Sequence, residues 1–203
     1  LGGYATGTVS GALTRRYHGM LVAALPTPFG RVVMFNYLLE QLRYSDGRVV
    51  PFATNTDTGD GYEFDGSTFL TGFRLEEGMP FWTYDIEGVQ IEKRVLMLHE
   101  QNTTHVSYRL LSQEPVRLEL RPLIAFRLHE APVDHPVKAP YALHAFGDRF
   151  ELEPGNDLPS LRLFLHHDGE KAFTVQPAVF RNVLYALEQH RGYECCGDLW
   201  NPG

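Results

Sequence analysis

Apolar side chains recur at every second position along much of this chain, and that period decides what it can fold into. Val106, Tyr108 and Leu110 alternate with His105, Ser107 and Arg109. Leu118 and Leu120 alternate with Arg117, Glu119 and Arg121, and Phe150 and Leu152 with Arg149, Glu151 and Glu153. Each run gives a strand one apolar and one polar face. Turn-forming sequence falls between such runs, at Ser45-Asp46-Gly47, Asp57-Thr58-Gly59-Asp60-Gly61, Glu87-Gly88, Gly147-Asp148 and Asp168-Gly169. The 19 glycines and 13 prolines supply the turns, and 13 phenylalanines and 10 tyrosines suit strands. The expected fold is all-β and antiparallel, with two sheets packed face to face and few or no helices, in a single sandwich domain over 1–203.

Phe81 to Ile86, Glu87-Gly88 and Val89 to Leu98 read as a long hairpin, and Glu100-Gln101-Asn102 turns the chain into a further strand, Thr103 to Leu111. Two segments carry a competing period. Val32, Phe35, Leu38, Leu39 and Leu42 fit helical spacing, as do Val179, Val183, Leu184 and Leu187. Both are flanked by strand-like sequence, so 32–42 and 179–187 are expected to be extended. Leu128 to Ala139, with Pro132 and Pro136, reads as an irregular loop.

Charge and the cysteines narrow the function classes. The 25 acidic against 18 basic residues give a net charge of −7, which argues against a nucleic-acid partner. The longest apolar stretch, Met20 to Pro26, is too short to span a membrane. A start at Leu1-Gly2-Gly3-Tyr4 and a stop at Asn201-Pro202-Gly203 read as a piece of a longer protein. Cys195 and Cys196 are adjacent and could bond only in a strained ring, which favours reduced cysteines and a cytoplasmic setting.

The densest polar cluster is Thr14-Arg15-Arg16-Tyr17-His18-Gly19, ahead of the apolar strand Met20 to Leu25. Guanidinium forks and an imidazole can hold sugar hydroxyls or a carboxylate brought from elsewhere in the chain. The competing reading is a structural Arg paired with an acid. Strand alternation would aim Arg15 and Tyr17 one way and Arg16 and His18 the other. Trp82 and Tyr84 would share one strand face, as a platform for sugar rings or as packing between sheets. The Gly-rich opening lacks the Gly-Lys-Ser/Thr ending of a phosphate loop. Adjacent His166 and His167 would point to opposite faces, so neither a metal nor any other cofactor is expected.

Leu1-Gly2-Gly3-Tyr4-Ala5-Thr6-Gly7-Thr8-Val9-Ser10-Gly11, followed by Thr14-Arg15-Arg16-Tyr17-His18-Gly19-Met20-Leu21-Val22-Ala23, closely resembles the opening of bacterial and archaeal glycogen debranching enzymes. Further matches follow in order: Glu92-Lys93-Arg94, Asn102-Thr103, Arg121-Pro122-Leu123, Arg191-Gly192-Tyr193-Glu194-Cys195 and Asp198-Leu199-Trp200-Asn201-Pro202-Gly203. Leu13 departs from the pattern, which usually has Asn there. The resemblance implies an N-terminal β-supersandwich ahead of an (α/α)6 barrel with amylo-α-1,6-glucosidase activity, with both catalytic carboxylates on the barrel. No residue here then inherits a catalytic role. Arg15, Arg16 and His18 are expected at the junction of sandwich and barrel, near the glucan cleft. An independent carbohydrate-binding module and a purely structural packing or oligomerisation sandwich are the alternatives.

Overall fold

The computed structural model describes residues 2–55, 64–155 and 157–203. The chain begins with β1 (Tyr4–Thr6), β2 (Gly19–Ala24), β3 (Arg31–Phe35), β4 (Tyr37–Arg43) and β5 (Val49–Pro51). A short ribbon of β6 (Thr54–Asn55) and β7 (Phe64–Asp65) follows, then a 3-10 turn at Gly66–Phe69. Next come β8 (Leu70–Glu76), β9 (Met79–Ile86), β10 (Val89–Met97) and β11 (Thr104–Leu110). After β12 (Arg117–Leu123) and β13 (Arg127–Leu128) stand β14 (Ala142–Phe146), β15 (Arg149–Glu153) and β16 (Leu161–Phe164). β17 (Ala178–Leu184) and β18 (Cys196–Asn201) flank the five-residue helix α1 (Ala186–His190).

The fold is all-β and antiparallel, as the alternation requires. Among the described residues the strands form six ladders: β1-β2-β3-β13, β11-β10-β9-β8, β12-β4-β5, β14-β15-β16, β17-β18 and β6-β7. Register shifts interrupt the β1–β2, β2–β3, β8–β9 and β17–β18 pairings. Such bulges bend strands and break long sheets into shorter ones. Glu87 and Gly88 join β9 to β10 with φ of 51° and 93°, the left-handed pair that a tight hairpin turn needs. The expected turn at Asp57 to Gly61 lies outside the described residues.

Segment 32–42 is extended, as expected, and its helix-like spacing has a physical cause. In β4, Tyr37 and Leu39 enter a core cluster with Leu13, Leu123, Phe180, Val183, Tyr185 and Leu199. On the opposite face Leu38 joins Leu21, Ala23, Val32, Phe126, Leu152 and Trp200, while Leu42 joins Phe52, Tyr84, Ile86 and Ile91. A strand buried on both sides loses its alternation and becomes almost continuously apolar. Segment 179–187 divides. It is extended through Leu184, but α1 begins at Ala186, so Leu187 is helical and corrects the extended expectation there. Of its four apolar residues only Val183 is deeply buried, whereas Val179 and Leu187 are exposed. Of the expected loop Leu128 to Ala139, Leu128 instead ends β13, and the stretch from 129 to 139 is irregular, as expected, leading to the β14–β16 group. No helix among the described residues is long and apolar enough to cross a membrane.

Candidate functional site

Thr14 to His18 is a turn, not a strand, so alternation does not sort its side chains. The turn is closed by the His18 N–H donating to Arg15 O at 2.9 Å. The Thr14 N–H donates to His18 Nδ1 at 3.2 Å, which requires that ring nitrogen to be unprotonated. Burial, aided by the neighbouring Arg15 charge, pushes the His18 pKa below its ordinary value and favours this neutral form.

Arg15 and Arg16 meet one acid through different groups, Arg15 by its side chain and Arg16 by its backbone. Arg15 Nε donates to Glu188 Oε1 at 2.9 Å, and the Arg16 backbone N–H donates to the same oxygen at 3.1 Å. The Glu188 side chain is 1% exposed and its Oε2 has no hydrogen-bond partner. Burial pushes the carboxyl up, but those hydrogen bonds and the two guanidinium charges outweigh it, so Glu188 titrates below its ordinary value. Thr14 O meanwhile accepts from the Leu187 N–H at 3.0 Å, fastening the turn to the start of α1.

The outer side of the cluster is aromatic. The Arg16 guanidinium lies 5.0 Å from the Tyr17 ring centre and 5.1 Å from that of Tyr193. Arg16 Nη2 donates to the Tyr17 hydroxyl at 3.0 Å, and that hydroxyl donates to Glu130 Oε2 at 3.1 Å. Tyr17 is half-buried. Below it, the buried Arg127 guanidinium donates to the carbonyls of Arg16, His129 and Ala131. Burial lowers the Arg127 pKa, and no carboxylate among the described residues pairs with it.

Trp82 and Tyr84 do lie two apart on β9 and belong to one core cluster, Tyr84 within it and Trp82 at its edge. Tyr84 is 5% exposed, with its ring 5.3 Å from that of Phe52 in a core cluster. Trp82 is half-buried, stands 5.3 Å from the Phe73 ring, and donates from Nε1 to Val9 O at 2.8 Å. That bond ties the Gly-rich opening to β9. Segment 7–18 is therefore a strap running from Trp82 to Glu188, with Leu13 buried between them.

His166 and His167 lie just past β16, and His167 Nδ1 accepts from the Gly169 N–H at 2.7 Å. Among the described residues no group of three or more His, Cys, Asp or Glu could hold a metal. The Cys195 and Cys196 sulfurs are 3.7 Å apart and unbonded.

The family model for the N-terminal domain of glycogen debranching enzyme matches residues 1–203, the whole chain. The chain belongs to that family. No curated protein and no solved structure matches it.

In this glycogen debranching enzyme N-terminal domain, the motif residues fasten segments that are distant in sequence. Asn102 clasps the Ala24 peptide from both sides, accepting from its N–H at 2.8 Å and donating to its carbonyl at 2.9 Å. Gly3 lies under that clasp, where a Cβ would come within 2.6 Å of Asn102 Oδ1 and 2.7 Å of Val22 O. Glu92 takes Arg74 at 2.7 Å and Arg109 at 2.9 Å, and Lys93 Nζ reaches Glu40 Oε1 at 2.6 Å. Leu13, where Asn is usual, is buried in an apolar cluster and suits it.

The acid that organises the arginines was not a sequence candidate. Glu188 lies one residue past the segment 179–187 that was expected to be extended, and no local pattern marks it. The signal that existed was indirect: the neighbouring motif Arg191-Gly192-Tyr193 supplies the ring that covers Arg16.

Proposed function

We propose that this chain is the non-catalytic N-terminal domain of an amylo-α-1,6-glucosidase, a β-supersandwich that supports the catalytic (α/α)6 barrel and contacts α-glucan in the cytoplasm. The observation that carries the reading is the family match over residues 1–203. Arg15, Arg16 and His18 belong on this reading to the junction with the barrel. Their support is the half-exposed Tyr193 ring, the exposed Leu187 and the partly exposed Arg15 around a buried carboxylate, a mixture of apolar and polar groups typical of contacts between domains.

Hydrolysis of a glycosidic bond needs two carboxyls at a set separation on either side of it. Glu188 is enclosed and held by arginine, so it is poorly placed to donate or accept a proton at a sugar oxygen. The chain alone is therefore expected to release no glucose from a limit dextrin. The deciding experiment introduces Arg16→Ala and His18→Ala into the 203-residue chain and into a protein that carries the domain with its barrel. The expected result is a folded chain in thermal melts together with lost glucosidase activity or domain docking in the longer protein. Normal activity of both longer variants would falsify the junction role.

A further inference from the structure

The β14-β15-β16 sheet presents a second face that the strap does not reach. Residues directly opposite one another in an antiparallel sheet point the same way. One rung is Phe146, Arg149 and Phe164, and the next is His144, Glu151 and Arg162. The rung beyond these, Leu143, Leu152 and Leu161, points to the other side and joins the core cluster. Phe146 and Phe164 are 54% and 57% exposed, more than any other phenylalanine among the described residues.

Alternation alone would have placed polar side chains at these two outward positions. The rings are instead held in order. Phe146 stacks on His144 at 6.4 Å and Phe164 on His166 at 6.3 Å, and the Arg149 guanidinium lies 4.9 Å from the Phe146 ring centre. On the neighbouring rung, Glu151 Oε1 accepts from Arg162 Nε at 2.8 Å, with Arg149 Nε 3.4 Å away. The Arg149 and Arg162 charges are matched by those of Glu151 and Glu153 on the same face.

We infer that this outer face of β14, β15 and β16 binds a neutral α-glucan chain, with Phe146 and Phe164 as stacking platforms and Arg149, Glu151 and Arg162 as hydroxyl partners. The inference deepens the glucan contact proposed above, and it rests on that reading for the identity of the sugar. Exposed aromatic faces offer apolar surface to the C–H side of a pyranose ring, while guanidinium and carboxylate groups pair with its hydroxyls. A charge-balanced face full of donors and acceptors complements an uncharged polyol and gives no net attraction to an anionic polymer. Its two exposed rings are separated by charged side chains, unlike the contiguous apolar patch that a protein partner covers. Strands lie about 4.8 Å apart, so the two phenylalanines stand about 10 Å apart across β15, the reach of a short oligosaccharide rather than of one sugar.

The test uses the 203-residue chain, with glycogen in native gels and maltoheptaose in titration calorimetry as probes. Phe146→Ala, Phe164→Ala and Arg162→Gln are compared with the parent chain, each checked by a thermal melt. The expected result is retardation of the parent and about tenfold weaker binding in either phenylalanine variant, with unchanged melts because both rings are exposed. Retardation that survives both phenylalanine changes overturns this location and leaves the broader glucan reading standing. A parent chain that binds neither probe overturns both. A dimer that Phe146→Ala or Phe164→Ala converts to monomer overturns the inference in favour of a second copy on this face.

Discussion

Arg15 Nε and Glu188 Oε1 lie 2.9 Å apart across 173 positions of sequence, and the link joins the opening turn to the only α-helix among the described residues. The same oxygen takes the Arg16 N–H. Removing the acid strands a half-buried guanidinium and a backbone donor together, whereas removing Arg15 leaves a carboxylate with 1% exposure and one remaining donor. Both changes loosen the strap's hold on α1, which the Leu187 N–H on Thr14 O still maintains.

Glu188→Gln is expected to cost about 2 kcal/mol, because the amide keeps the shape and one acceptor but loses the charge. For a chain of this length that lowers Tm by about 4–8 °C. The pH dependence has a definite sign. A carboxyl held below its ordinary 4.5 in the folded state contributes stability that is complete above that value and drains away as pH falls below it. Melts of the parent and of Glu188→Gln should therefore converge as the pH drops below about 4.5. A gap that stays constant down to pH 3 would show that the charge does not matter.

His18 is expected to titrate below 6.5, with its Nδ1 unprotonated at neutral pH. The unfolded chain then binds a proton more readily than the folded one, so stability falls as pH drops below 6.5. Burial is the main cause of the shift and the Arg15 charge a smaller one. Arg15→Ala should accordingly move the His18 pKa only part of the way back. Imidazole resonances followed by NMR across pH 4–8 test this, and an ordinary His18 titration would contradict it.

The clasp of Asn102 on Ala24 makes two hydrogen bonds at the mouth of the β10–β11 turn, and Thr104 Oγ1 adds a third to Met20 O at 2.6 Å. Asn102→Ala should cost about 1–2 kcal/mol. Gly3→Ala should also destabilise, since the new methyl group meets both Asn102 Oδ1 and the backbone oxygen of Val22. Because the two residues share one contact, the double variant is expected to cost less than the sum of the singles. Additive denaturant midpoints would show that Gly3 is there for another reason.

Glu40 is 3% exposed and receives Lys93 Nζ at 2.6 Å and the Tyr108 hydroxyl, beneath the ring of Trp82. Lys93→Met should cost about 3–5 kcal/mol by leaving a buried carboxylate without its counter-charge. Adding Glu40→Gln to Lys93→Met should recover part of that loss. Chemical denaturation of both single variants and the double variant measures the coupling, and equal losses in the single and double Lys93 variants would rule out an uncompensated charge as the cause.

Local chemistry in the sequence determined the fold class, because a two-residue period and left-handed turn pairs such as Glu87-Gly88 act over a few neighbouring residues. It also singled out the opening motif, whose Arg15, Arg16 and His18 do form one polar cluster. Tertiary structure decided what that cluster does. The strand rule that would have split Arg15 from Arg16 needs a strand, and Thr14 to His18 became a turn held by Glu188 and Arg127 from distant segments. Tyr84 and Trp82 have equivalent places in the sequence pattern, yet Tyr84 packs on Phe52 inside a core cluster while Trp82 stands at its edge against Val9 and Phe73, since burial depends on what the fold brings over each position. The same holds for β4, where cover on both faces erased the alternation. Periodicity reports whether a side chain has a buried face. Only the folded chain supplies the partner that fills it, here as far away as Glu188 is from Arg15.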